Sequence, residues 1–131
     1  MSPRPLPVTV AVILLVFLSL FNFPWPYEIL FPGVEEPPVF VIYTGYALGI
    51  VGLVDAVGLW MLKPWSYLAT NMVCVLNLFS GAPGVVFGPT DGVRVLNAVL
   101  EVVALLIIVL LILPSSRRAL EAADQPSSRV R

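Results

Sequence analysis

Residues 39–80 read VFVIYTGYALGIVGLVDAVGLWMLKPWSYLATNMVCVLNLFS. The stretch divides at Lys63-Pro64-Trp65 into two apolar runs, each with helical spacing of its small residues. In the first run Gly45, Gly49, Gly52 and Ala56 follow at intervals of four, three and four, so they share one helix face. Gly45 to Gly49 is a GxxxG match. Small residues let two helix backbones approach closely in lipid, where packing replaces the hydrophobic effect. In the second run Ser66, Ala69, Thr70, Cys74, Asn77 and Ser80 collect on one side. That side is a complement for the glycine stripe, although the stripe also suits a second copy of the chain. The two remaining apolar segments are expected to pack around this hairpin.

Composition sets the solvent. The chain is 59% hydrophobic and 11% charged, with mean hydropathy +0.97. Soluble domains carry roughly 25% charged residues, so this chain cannot cover a water-facing surface and needs the lipid bilayer as its partner. At 131 residues a single domain is expected. A net charge of −1 gives no basis for nucleic-acid binding.

The absence of histidine and the single cysteine, Cys74, remove several chemistries. No intrachain disulfide can form, no His/Cys metal centre or Ser-His-Asp triad can be built, and a His-ligated haem is excluded. Membrane thiol oxidoreductases need a cysteine pair. Phospholipid synthases with an Asp-rich motif need clustered acids, and the acids here are single and scattered. No cofactor and no metal is expected, and no catalytic motif is found.

Four helices are predicted, at about 7–23, 39–62, 65–80 and 92–113. The first run, Val8 to Phe23, lies at the short end of the ~17–25 residues that a spanning helix needs. A cleaved signal peptide would also fit Arg4 plus an apolar run, but no small-x-small cleavage site follows. Between Pro24 and Pro38 five prolines predict a non-helical segment lying on the membrane surface through Trp25, Tyr27, Ile29, Leu30 and Phe31. A lid over an interhelical cavity is the alternative. Gly81 to Gly92, with Pro83 and Pro89, is predicted as a loop whose Val85-Val86-Phe87 dips into the interface. Residues 1–114 would then form one transmembrane domain and 115–131 a polar cytoplasmic tail.

Charge order gives the orientation. With four helices, Arg4, Lys63, Arg117 and Arg118 share one side, while Glu28, Glu35, Glu36 and Asp91 share the other, with Arg94 the basic exception. The positive-inside rule puts both termini in the cytoplasm. The expected fold is therefore all-α, a polytopic antiparallel bundle of four transmembrane helices. Trp60, Trp65 and Tyr67 read as interfacial anchors. Arg117-Arg118 reads as a contact to anionic headgroups.

Two acids fall within the apolar runs, Asp55 and Glu101. An Asp at a helix centre costs roughly 2.5–3.5 kcal/mol on insertion scales, so both should face the protein interior. Asp55 lies about seven residues, or ~10 Å, from the cytoplasmic end of its helix, at the depth of Thr70 and Asn71. Glu101 lies level with Asn77, and Asn97 and Arg94 continue its stripe outward. Asp55, Thr70, Asn71, Asn77, Asn97 and Glu101 thus form a candidate polar track. The functional reading is a proton relay or cation path. The structural reading is that each group fixes packing between helices.

Gly58-Leu59-Trp60-Met61-Leu62-Lys63-Pro64-Trp65, followed by an apolar helix and a last helix ending Leu113-Pro114-Ser115-Ser116-Arg117-Arg118, resembles small uncharacterised prokaryotic four-helix integral membrane proteins. The shared pattern is Gly-Leu-Trp closing one helix, a basic turn, and Trp opening the next. It covers about half the chain. The resemblance implies a bacterial or archaeal plasma membrane and no particular activity. Small multidrug transporters are similar in size and helix number. Their essential glutamate lies in the first helix, where this chain has no acid. The leading expectation is a non-catalytic accessory or subunit of a membrane complex, with membrane-protein partners or a homo-oligomer. The alternative is a small proton- or cation-coupled transporter acting as an oligomer.

Overall fold

The computed structural model describes residues 4–34 and 38–123. Glu35 and Glu36, which enter the charge argument above, and residues 124–131 of the tail lie outside the described residues. The described chain is all-helical: α1 (Leu6–Leu20), α2 (Trp25–Leu30), α3 (Val39–Trp60), α4 (Trp65–Phe87), α5 (Asp91–Ile112) and α6 (Pro114–Ala123). α3, α4 and α5 are each long and apolar enough to cross a membrane. α1 is apolar but has 15 residues, a length of ~22 Å.

Three segments differ from the sequence reading. The prolines after α1 were expected to exclude helix, yet Trp25–Leu30 is helical. Pro24 is its N-cap and Pro26 sits in its first turn, where a missing N–H breaks no helical bond. The second difference is larger. The helix predicted at 65–80 runs on to Phe87, through Pro83, so Gly81 to Phe87 is not a loop. An interior proline costs about 3 kcal/mol or more, so tertiary contacts must hold this end in place. Those contacts come from α5 and are described below. The third difference is the tail. Its first part is the amphipathic helix α6, which buries Ser116 and Leu120 while Arg117, Arg118 and Glu121 face outward.

Local signals explain most of the boundaries. Thr90 caps α5 by accepting a hydrogen bond from the Val93 N–H at 3.2 Å, and Asp91 stands in the first turn at the positive end of the helix dipole. α3 closes with a pair of crossed bonds, Lys63 N–H to Gly58 O at 2.8 Å and Leu62 N–H to Leu59 O at 3.0 Å. This is the Schellman arrangement, with Leu62 at the left-handed position usually given to glycine, at φ 55°. The Leu62 side chain packs against the core, which offsets the backbone strain.

α1 packs against α3 and α5, and α4 packs against the same two, so the four longest helices form a closed ring of contacts. The core inside the ring includes Ala11, Leu15 and Leu18 of α1, Ala56 and Leu59 of α3, Val73 and Cys74 of α4, and Val103, Ala104, Ile107 and Leu111 of α5. Leu120 of α6 joins it at one end. At that end Arg4 donates to the Trp60 carbonyl and lays its guanidinium 3.8 Å from the centre of the Trp60 ring. Such a contact contributes about 0.5–1 kcal/mol at an exposed site. At the other end Phe21 meets Tyr27 edge to face, and a side chain on Gly92 would strike the Phe31 ring. The segment after α1 is therefore tied to both α1 and α5.

The glycine stripe of α3 faces α1. A Cβ on Gly45 would overlap the Asn22 carbonyl oxygen, one on Gly49 would lie 2.7 Å from the Phe23 ring, and one on Gly52 would overlap the Ser19 hydroxyl. Ala56 is buried one turn further on. α4, whose polar side the sequence offers as the complement, also meets α3, with Trp65 and Ser66 against Gly58 and Val73 near Gly52. Gly52→Leu is therefore expected to destabilise the protein by about 1–3 kcal/mol through overpacking, whereas Val54→Ala, at an exposed position, should stay within about 0.5 kcal/mol. Thermal unfolding of the detergent-solubilised variants measures both.

Candidate functional site

The polar residues inside the apolar helices fall at two seams. The first lies where α1, α3 and α4 meet. Gly52 marks the spot, because an added Cβ there would meet both the Ser19 hydroxyl and, at 3.8 Å, the Val73 side chain. Asp55 follows three residues later on the same face of α3 and is 2% exposed. Thr70 precedes Val73 by one turn on α4 and is fully buried, as are Ser19 and Cys74. Among the described residues Ser19 Oγ, Asp55 Oδ2 and Thr70 Oγ1 have no hydrogen-bond partner.

The second seam lies between α4 and α5. Glu101 Oε1 sits where a Gly81 side chain would be, and the Asn97 amide lies 2.7 Å from a Cβ placed on Gly84. Arg94 donates to the Gly88 carbonyl at 3.0 Å and stands 3.5 Å from Asp91. The polar stripe Arg94, Asn97, Glu101 thus beds against Gly81 and Gly84 in the last seven residues of α4 and against Gly88, its C-cap, all within the segment the sequence predicts as a loop. Glu101 and Asn97 are half-buried.

The six residues of the proposed track are divided between these places. Asp55 and Thr70 belong to the first seam, Asn97 and Glu101 to the second. Asn77 is buried on α4, but its amide donates to Val73 O at 2.9 Å in its own helix. Asn71 is half-buried and donates to Tyr67 O at 2.8 Å. Asn97 likewise donates to Val93 O at 2.9 Å. These amide donors are thus returned to the preceding turn instead of bridging from one helix to the next.

Two groups escaped the sequence reading. Ser19 lies inside the apolar run of α1 and carries no sequence mark of a site. Gly81, Gly84 and Gly88 fall in the segment predicted as a loop, although their spacing of three and four repeats that of the α3 stripe. Two further buried hydroxyls are satisfied locally: Ser66 donates to Lys63 O at 2.5 Å and Ser116 to Leu110 O at 2.8 Å, the latter fastening α6 to the end of α5. Beside α6 a small groove is lined by Pro64, Tyr67, Arg117, Leu120 and Glu121. Arg117 and Glu121 face each other across 4.0 Å at the surface, a separation that contributes little to stability.

The second seam yields a direct check. Gly84→Leu should destabilise by about 1–3 kcal/mol because Asn97 occupies the space, and Phe87→Ala, at an 82% exposed position, should be close to neutral. If residues 81–88 were a free loop, both changes would be tolerated in the same unfolding assay. Compared with known protein families, curated proteins and solved structures, the chain matches none.

Proposed function

We propose that this chain is an integral protein of a prokaryotic plasma membrane and serves as a non-catalytic subunit or accessory of a membrane assembly. In this reading α1, α3, α4 and α5 all span, in an antiparallel bundle with both termini in the cytoplasm. α1 is short for a span, and local bilayer thinning accommodates such a helix at a modest cost. Arg4, Lys63, Arg117 and Arg118 support the orientation through the positive-inside rule. The exposed apolar side chains on all four helices, among them Ile13, Val57, Met72 and Val109, are the surface offered to lipid and to partner helices.

The observation that carries the accessory reading is the use made of the polar groups. Glu101 and Asn97 bed against glycines of α4, and the asparagine amides bond their own backbones. These are packing roles. Purification in mild detergent tests the proposal: stable foreign membrane proteins should accompany the chain, whereas a pure homo-oligomer favours the second reading. That reading, a small proton- or cation-coupled transporter, draws its support from the unmet oxygen of Asp55.

Two outcomes are expected. Single cysteines at Pro32 and Arg118, in a Cys74→Ala background, should label from opposite sides of intact cells, and labelling of both from outside would refute the four-span arrangement. In proteoliposomes the wild type should show no proton or cation flux, and Asp55→Asn and Glu101→Gln should fold and assemble normally. Flux in wild type that both amides abolish would replace the accessory reading with the transporter.

A further inference from the structure

The seam of α1, α3 and α4 holds three oxygen-bearing side chains whose chemistry is not accounted for by packing. Each is at least nine-tenths buried, each comes from a different helix, and each has an oxygen with no hydrogen-bond partner among the described residues. Register brings them together. Gly58 meets Trp65 and Ser66 while Gly52 meets Val73, so rising numbers on α3 match falling numbers on α4. Interpolated between those contacts, Asp55 faces the level of Thr70. Ser19 Oγ lies on the Gly52 face, one turn away from Asp55. Asp55 is thereby level with Thr70 on α4 and one helical turn from Ser19 on α1.

The donor set is all oxygen: an acceptor-only carboxylate and two hydroxyls with free lone pairs. Oxygen donors of this kind suit hard cations. A single carboxylate balances a single positive charge, and a divalent ion would leave a net charge inside the bundle. An unpaired buried charge is costly, and an ion bound here would neutralise it. We propose that Ser19, Asp55 and Thr70 form an intramembrane site for a small monovalent cation of the sodium class, which ties α1, α3 and α4 together. The inference goes beyond the accessory role and requires no transport. It rests only on the helix arrangement proposed above, which the cysteine labelling tests separately.

The test is thermal unfolding of the purified protein in detergent, followed by tryptophan fluorescence, with sodium chloride exchanged for choline chloride at constant ionic strength. A ligand that binds only the folded state raises Tm in a saturable way. Wild type should gain at least about 3 °C at saturating sodium. Asp55→Asn should lose the sodium response. Ser19→Ala and Thr70→Val should each raise the sodium concentration for half-effect about tenfold or more. Glu101→Gln, at the other seam, should respond as wild type does. Equal Tm values for wild type in sodium and choline would overturn the proposal, and this outcome includes a seam filled by structural water. A sodium response that survives Asp55→Asn would overturn it as well.

Discussion

Between α1 and α3 the Ser19 hydroxyl occupies the space that a side chain at Gly52 would fill, and the Phe23 ring does the same over Gly49. This close approach is the constraint on which the remaining contacts depend. In a lipid environment burial of apolar surface gives little preference for one neighbour over another, since hydrocarbon surrounds the helix either way. Backbones that can come near one another gain dispersion contacts that lipid tails cannot match. With α1 seated on α3, its Leu15 and Leu18 reach the core shared with α5, and the ring of helices closes.

The opposite side of the ring uses the same device with polar side chains in place of apolar ones. Gly81 and Gly84 make room for Glu101 and Asn97, and the Gly88 carbonyl accepts from Arg94. This explains how α4 continues past Pro83. The two ends are fastened differently: Arg4 stacks on Trp60 at one, with α6 folded beside it through Ser116 and Leu120, and aromatic contacts of the segment after α1 hold the other. Polar groups are thereby drawn to the seams, and large apolar side chains are left on the outside. That distribution is the one expected of a protein whose solvent is lipid.

Much of this was legible in the residues, and the misreadings have identifiable causes. The spacing of Gly45, Gly49, Gly52 and Ala56 announces a close neighbour without naming it. Chain proximity suggested α4, whereas the partner at three of the four positions is the more distant α1 or the residues just after it. Proline dominated the reading of residues 81–92, and it obscured a glycine spacing identical in kind to the one already recognised. α6 went unseen because the tail was judged by its polarity, and a short amphipathic helix shows itself only through periodicity. Asp55 and Thr70 were placed at matching depth from residue rise alone, but Ser19 was not. A serine in an apolar run has no distinguishing sequence mark until its glycine counterpart is known.

The pairing of Ser19 with Gly52 also orders events in time. The first helix leaves the ribosome with the Ser19 hydroxyl uncovered, and the glycine that covers it, Gly52, is encoded 33 residues later. At synthesis rates of ~5–20 residues per second, the delay is about two to seven seconds. During that interval α1 is an isolated, rather short apolar segment without its docking face. If α1 spans as proposed above, its retention in the bilayer then rests on hydropathy alone, and its final position is set by a helix that does not yet exist.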